Sequence, residues 1–473
     1  PSAPSMNLMT ESRQKLLMAG LLLGIFLAAV DSTVVAVAMP SIVSSLQGLE
    51  IYSWAFTAYI LTSTVSGPLW GRFSDVYGRK TVYLVGLGLF LAGSLLCGLA
   101  SNMLQLIVFR AVQGLGGGAL LILTFTLIGE LFSLKERARA TGYTSSVWAS
   151  ASIVGPPLGG LIVDSVGWRW IFLINVPAGV VCMLIGLKQL RNTVDKEARV
   201  DVRGAVLFMA AATALLVYLN EAEAGGMPVL MLLLSGAAFT LFIYNERRSE
   251  APLIPLQLFR ENVLRTGFMG NFLAGFIFFG IIAYMPLYLQ WALSFSATNS
   301  GMLLLPLVLG WVAAANMAAR VVIRSSVKTP VYVSGIALVA GSALLTMLGL
   351  GLPVTLTGLA LIGLGMGFTV STFLITTQTL VPRSVLGVAT SLLSFLRLIG
   401  GAIAVAVMWI PLSSVVRRVE VAGDPQVVLT AVEKAQFVSA LGNSMIIALA
   451  AALTTLVLYL FIPNVKLSSA KQA

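Results

Sequence analysis

Apolar residues run along this chain in long blocks separated by short polar connections. The first block, Leu16–Pro40, contains one charged residue, Asp31. A helix needs about 20 apolar residues to cross the hydrocarbon core of a bilayer. Blocks of that kind recur near 16–40, 51–70, 81–100, 104–131, 140–164 and 168–189. Two shorter ones follow near 204–220 and 227–245, then six more near 266–290, 299–323, 330–350, 353–380, 386–411 and 438–463. The pattern predicts an all-α membrane protein with 14 spans and both ends on the same side. Leu16–Pro40 is too long for the apolar core of a signal peptide and lacks a small-residue cleavage site, so it is expected to remain as a span. The PSAPS ahead of Met6 is expected to be a vector remnant.

The connections test that count, because cytoplasmic loops carry an excess of Lys and Arg. With the N-terminus cytoplasmic, one set of connections holds Arg13, Lys15, Arg72, Arg79, Lys80, Lys135, Arg137, Arg139, Lys188, Arg191, Lys196, Arg199 and Arg203. The same set continues with Arg247, Arg248, Arg260, Arg265, Arg320, Arg324, Lys328, Arg383, Lys466 and Lys471. The opposite set keeps Arg169, Arg417, Arg418 and Lys434, and Arg110 and Arg397 fall inside spans. Adding or removing one span would scramble this asymmetry.

The chain also matches itself. GLGGG at Gly114–Gly118 returns as GLGMG at Gly363–Gly367, 249 residues on. Gly142 and Gly155 match Gly387 and Gly400 at 245, Pro40 matches Pro286 at 246, and Arg72 and Lys80 match Arg320 and Lys328 at 248. The repeat is six spans long, which puts both copies in the same orientation, the parallel repeat of transporter halves with a site between them. The expected division is a cytoplasmic N-terminus over 1–15, a six-helix bundle over 16–190, a linker with an inserted helical hairpin over 191–262, a second six-helix bundle over 263–465 and a cytoplasmic tail over 466–473.

Composition agrees with the pattern: 58% of the 473 residues are hydrophobic and 10% charged, against about half and a quarter in soluble domains. The net charge of +11 lies in the connections rather than on one helix face, so it marks membrane topology and no nucleic-acid partner is expected. Cys97 and Cys182 sit within apolar blocks, which argues against a disulfide framework, and the chain has no histidine. No nucleophile–base or metal-ligand set is evident, so no enzyme, metal or cofactor is expected beyond protons as coupling ion.

Between the second and third blocks lies GRFSDVYGRK. Gly71 and Gly78 allow close approach and a tight turn, Asp75 can cap a helix or pair with a cation, and Arg72, Arg79 and Lys80 hold the cytoplasmic side. This G-x-x-x-D-x-x-G-R-K pattern resembles the cytoplasmic signature of the major facilitator superfamily, where it gates the inward opening through a charge network. RAVQGLGGG at Arg110–Gly118 is similar to the family's fourth-helix motif, whose arginine is implicated in proton transfer. SIVGPPLGG at Ser152–Gly160 is similar to the antiporters' fifth-helix signature, with Gly155, Pro156, Gly159 and Gly160 as its packing hinge and Ala151 where that pattern often has glycine. DSTVVAVAMP at Asp31–Pro40 and GWRWIFLINVP at Gly167–Pro177 resemble the 14-helix drug:proton antiporter branch. The resemblance implies the major facilitator fold, two parallel six-helix bundles with two inserted helices, in a bacterial cytoplasmic membrane.

Ionisable groups inside spans are functional candidates by default, since placing one there costs about 2.5 to 3.5 kcal/mol on insertion scales. Asp31 is the only acid well inside a predicted span, and its counterpart in the repeat is Ile277. Nearly the whole second bundle, Asn262–Val419, has no Asp or Glu. Asp31 is therefore the expected proton carrier, with little company, and Arg110 its expected partner or the holder of a water chain to it. Glu130 is expected to pair with Arg79, Arg137 or Arg139 at the gate, and Asp164 with Arg169 across an outer turn. Tyr59, Gln113, Trp148, Asn271, Tyr284, Tyr288 and Gln378 are expected in the substrate cavity, where an apolar lining with few polar groups suits lipophilic ligands. Arg397 either lines that cavity and accepts acidic headgroups or snorkels to the cytoplasm.

The expected function is a monomeric proton-coupled multidrug exporter of lipophilic, cationic or neutral compounds, surrounded by membrane lipid. The alternatives are an exporter of an endogenous amphiphile, such as a lipid, siderophore or metabolite, and a non-transporting receptor on the same fold.

Overall fold

The computed structural model describes residues 11–131, 134–190, 201–220, 227–249, 252, 256–381, 386–420 and 430–465. All regular structure among them is helical, as it must be where no water is available to bond the backbone. Helices α1 to α5 are Glu11–Leu46, Tyr52–Tyr77, Arg79–Leu99, Met103–Leu131 and Leu134–Val166. The short turn Trp170–Leu173 and Asn175–Gln189 together make α6, and Val202–Asn220 and Met227–Arg248 are α7 and α8. Asn262–Leu287, extended by the π-helical turn Tyr288–Ala292, is α9, and Ala297–Leu303 with Leu305–Arg324 is α10. Lys328–Leu345, Leu352–Leu380, Leu386–Glu420 and Ala431–Leu460 are α11 to α14.

Eleven helices among the described residues are long and apolar enough to cross a membrane. The other long ones are α2, which carries a row of hydroxyls from Ser53 to Ser66, and α5 and α7, whose apolar stretches are the shorter Ile153–Val166 and Val202–Leu215. The protein is thus a multi-pass membrane protein: 11 spans meet the length and apolarity criterion among the described residues, and the expected 14 would include α2, α5 and α7 as well.

The sequence repeat reappears in the packing. In the first half α2 packs on α4, α1 on α5, α3 on α4, and α6 on α1 and α3. In the second half α10 packs on α12, α9 on α13, α11 on α12, and α14 on α9 and α11. The close approaches recur rung by rung. A Cβ on Gly114 would run into the Tyr59 backbone and one on Gly118 into the Ser63 carbonyl; Gly363 and Gly367 meet the Leu307 and Trp311 carbonyls in the same way. Tyr59 and Leu307, like Ser63 and Trp311, are 248 residues apart. Small residues let helix backbones touch where lipid removes the hydrophobic drive for association.

The hairpin α7–α8 is not detached from the rest. Its first helix lies against α2 and α13, one helix from each half, with Phe208 5.1 Å from Phe395 and 5.2 Å from Phe242.

One set of contacts between the halves lies where α1 finishes and α2 starts. The rings of Tyr52, Tyr284 and Trp409 stack with centroids 5.6 to 6.0 Å apart. Tyr52 Oη donates to the Ala283 carbonyl at 2.7 Å, and Gln290 Nε2 to the Val37 carbonyl at 2.9 Å. Asp164 Oδ2 accepts from Thr298 N at 2.8 Å and Thr298 Oγ1 at 2.5 Å. The expected Asp164–Arg169 pair is therefore replaced: Asp164 bridges to the second half, while Arg169 donates to the Ala100 carbonyl at 3.2 Å and lies 4.4 Å over the Trp168 ring.

At an open helix position Gly→Ala gains up to about 1 kcal/mol. Gly114→Ala and Gly363→Ala are expected to do the reverse and lower the Tm of the purified protein. Gly236→Ala, with nothing within 4 Å of the new methyl, is the control that should hold or raise it.

Candidate functional site

Five helices of the first half converge on the Asp31 carboxylate. Asp31 is 1% exposed and Arg110, one helix crossing away, 2%. An apolar surround cannot leave either charge unpaired, since an unpaired buried charge is far costlier than a lost neutral hydrogen bond. Arg110 Nη1 donates to Asp31 Oδ2 at 2.6 Å. Asp31 Oδ1 accepts from Gln113 Nε2 at 2.7 Å and from Asn175 Nδ2 at 3.3 Å.

The remaining polar atoms close on one another. Gln113 stands one turn from Arg110 on α4, so it can both accept from Arg110 Nη1 at 2.7 Å and donate to Asp31. Ser94 Oγ on α3 accepts from Gln113 Nε2 at 2.7 Å and Asn175 Nδ2 at 3.1 Å. Arg110 Nε donates to the Ala55 carbonyl of α2 at 3.3 Å, and its guanidinium lies 4.1 Å over the Tyr59 ring, a favourable face for a cation. A proton arriving at Asp31 would take away the counter-charge of Arg110 and weaken the carboxylate as an acceptor for these donors.

Asp31 and Arg110 form the direct ion pair that was one of the two expectations for Arg110, and Asp31 has more company than its span suggested. Tyr59 and Gln113, expected in a cavity, belong to this network. Asn175 and Ser94 escaped the sequence reading: each is a single uncharged polar residue among apolar neighbours, with no periodicity to reveal that it faces Asp31.

Of the other candidates, Tyr284 and Tyr288 are buried; Tyr284 Oη donates to the Val405 carbonyl and Tyr288 Oη to the Leu348 carbonyl at 2.8 Å. Asn271 Nδ2 bonds the Gly267 carbonyl of its own helix at 2.9 Å. Gln378 is exposed near the end of α12, and Arg397 is partly exposed on α13. In the antiporter-type motif, Gly155 and Gly159 pack on Thr33 and Val34 of α1, while Gly160 meets Ala297 and Thr298 of α10, and the Pro156 carbonyl meets Gly301 there.

At the α2–α3 turn Gly78 has φ 93°, a value that favours glycine. Arg79 Nη1 donates to Ser74 Oγ and to the Gly71 carbonyl at 3.4 Å. Lys80 Nζ reaches the Leu187 carbonyl at 2.6 Å. The side chains of Arg72, Asp75, Glu130 and Trp148 lie outside the described residues.

A profile described as Major Facilitator Superfamily matches residues 21–405. The chain is 32% identical over 406 residues to "Multidrug transporter protein MdtP" of Bacillus subtilis (strain 168), covering 84% of this chain and 75% of that protein. It is also 32% identical to "Multidrug resistance protein 3" of the same organism, over 96% and 94% of the two chains. In fold it resembles an inward-facing, occupied bacterial homolog of the human lysosomal transporter Spinster, with TM-score 0.70 at 14% identity over 96% and 97% of the chains. A D-xylose–proton symporter superposes with TM-score 0.64 at 14% identity over 95% and 98%.

Removing one member of a buried ion pair costs about 3 to 5 kcal/mol, because it strands the other charge. Arg110→Ala is therefore expected to lower the Tm sharply. Adding Asp31→Asn should restore part of that loss, a coupling that a double-mutant thermal unfolding cycle reads directly.

Proposed function

This chain belongs to the Major Facilitator Superfamily, and on that premise we propose that it is a proton-coupled exporter of lipophilic compounds working by alternating access. Family and fold make it a transporter rather than an enzyme. Its relatives' names, a multidrug transporter and a multidrug resistance protein at 32% identity, support the export direction. We place it, as a monomer, in the cytoplasmic membrane of a bacterium with 14 spans, both termini inside, and the bundles 16–190 and 263–465 either side of the hairpin. The basic connections then face the cytoplasm, and the Tyr52–Tyr284–Trp409 seal closes the outer side.

The observation that carries proton coupling is the buried carboxylate of Asp31, whose two oxygens hold Arg110, Gln113 and Asn175. A ligand shifts a conformational equilibrium only by binding the two states differently, and protonation of Asp31 does so by removing the charge that holds Arg110. The same network narrows the cargo. Asp31 is buried and already paired with Arg110, so a cation would have to compete with Arg110 for it, whereas a neutral lipophile needs no exchange. Neutral cargo is thus favoured over cationic.

In proteoliposomes carrying a pH gradient, Asp31→Asn is expected to abolish gradient-driven cargo movement while leaving cargo binding in place. Full pH-driven transport by that variant would overturn the coupling role.

A further inference from the structure

We infer that Arg397 is the binding site for the acidic group of a lipophilic cargo. The inference rests on the transport reading above and adds a substrate class to it. Arg397 lies at the rung of Gly275 on α9, where a Cβ would come within 2.8 Å of the Arg397 Cγ. Gly275 is two residues from Ile277, the repeat counterpart of Asp31, so Arg397 occupies in the second half the depth that Asp31 occupies in the first. The next residue, Leu398, packs into the first-half cluster that contains Tyr59 and Ile60. Arg397 therefore stands where the halves face each other, well away from the basic connections.

Its bonding is incomplete. Arg397 Nε is sealed from solvent and bonds nothing, and among the described residues no hydrogen bond or ion pair reaches the guanidinium. The residue as a whole is partly exposed. A guanidinium is always charged and presents five donors in a fork that matches a carboxylate, sulfonate or phosphate. Asn262–Val419, the stretch that includes its own helix, has no acid. Asp31 is already bonded to Arg110. The anion that completes this site must arrive with a ligand, and the apolar surround requires that ligand to be an amphiphile. Cargo at Arg397 and a proton at Asp31 occupy different groups, so their exchange runs through the conformational change rather than through a shared seat.

The test uses one twelve-carbon chain with three heads: dodecyl sulfonate, dodecanol and dodecyltrimethylammonium, each below its micellar concentration, bound to the protein in phosphatidylcholine nanodiscs. The parent is expected to prefer the sulfonate by about tenfold or more, as a charge-assisted hydrogen bond implies. Arg397→Gln should erase that preference while leaving dodecanol binding unchanged, and Arg397→Lys should keep part of it. Since Arg397→Gln removes an unpaired charge, it should melt no lower than the parent. Equal binding of the three probes by the parent, or a sulfonate preference that survives Arg397→Gln, overturns the proposal. Replacing part of the phosphatidylcholine by phosphatidylglycerol separates the sources: competition with the sulfonate assigns the site to a lipid headgroup, and no competition to a free amphiphile. Binding is read without a pH gradient, so this result and the Asp31 transport result fail independently.

Discussion

The first half is organised around the burial of one ion pair. Taking a carboxylate and a guanidinium out of water costs several kcal/mol per ion, and their attraction offsets this only when the remaining lone pairs and protons are also bonded. One Arg110–Asp31 contact cannot do that. Gln113, Asn175, Ser94 and the Ala55 carbonyl complete it, and each must come from a different direction. That requirement draws α1, α2, α3, α4 and α6 together. Glycine makes it possible: a Cβ on Gly93 would sit 2.5 Å from the Gln113 backbone, so α3 and α4 touch where Ser94 meets Gln113.

The second half reuses the framework with different chemistry. The helices corresponding to α3, α4 and α6 are α11, α12 and α14, and they too are joined by a buried polar chain. Ser334 Oγ donates to the Gly365 carbonyl at 2.7 Å and lies 2.6 Å from Thr369 Oγ1, which lies 2.9 Å from Tyr459 Oη. Hydroxyls alone satisfy one another and need no counter-charge. Duplication has thus kept the helix crossings, which glycine positions dictate, while the charges diverged: a compensated pair in one half and the solitary Arg397 in the other.

That division explains what the sequence could reveal. Span positions, the repeat and the glycine rungs were legible because they depend on hydropathy and on residue size at fixed spacing. Asp31 and Arg110 stood out because charge inside an apolar block is conspicuous. Their pairing was expected on the same ground, although 79 residues and a helix crossing separate them; the amides and hydroxyl that complete it were not. Asn175 was hidden within an apolar stretch, and its role arises only when α6 lies beside α3. Asp164 was assigned to Arg169 by nearness in sequence, yet its partner Thr298 is 134 residues away in the other half, because the charged neighbour was better satisfied by a carbonyl and an aromatic face. Local sequence names the groups; the crossings decide their partners.

The seal between the halves and the buried pair are held by contacts of different kinds. The seal between the halves consists of the Tyr52–Ala283 and Gln290–Val37 hydrogen bonds, the Thr298–Asp164 contact and a three-ring stack. A typical hydrogen bond is worth about 0.5 to 1.5 kcal/mol net and an aromatic pair a similar amount. Breaking the Asp31–Arg110 pair by stranding one charge costs about 3 to 5 kcal/mol. Summed over its bonds and rings the seal is no weaker than the ion pair, but its contacts are individually weak and separable, whereas the pair is lost as a unit. Helix α1 carries both: Asp31 and Val37 are six residues, about 9 Å, apart on one helix. Thr33 between them is pressed against Gly155 of α5, which in turn packs on α10 through Gly160. A displacement at the ion pair and a displacement at the seal are thus movements of the same two helices.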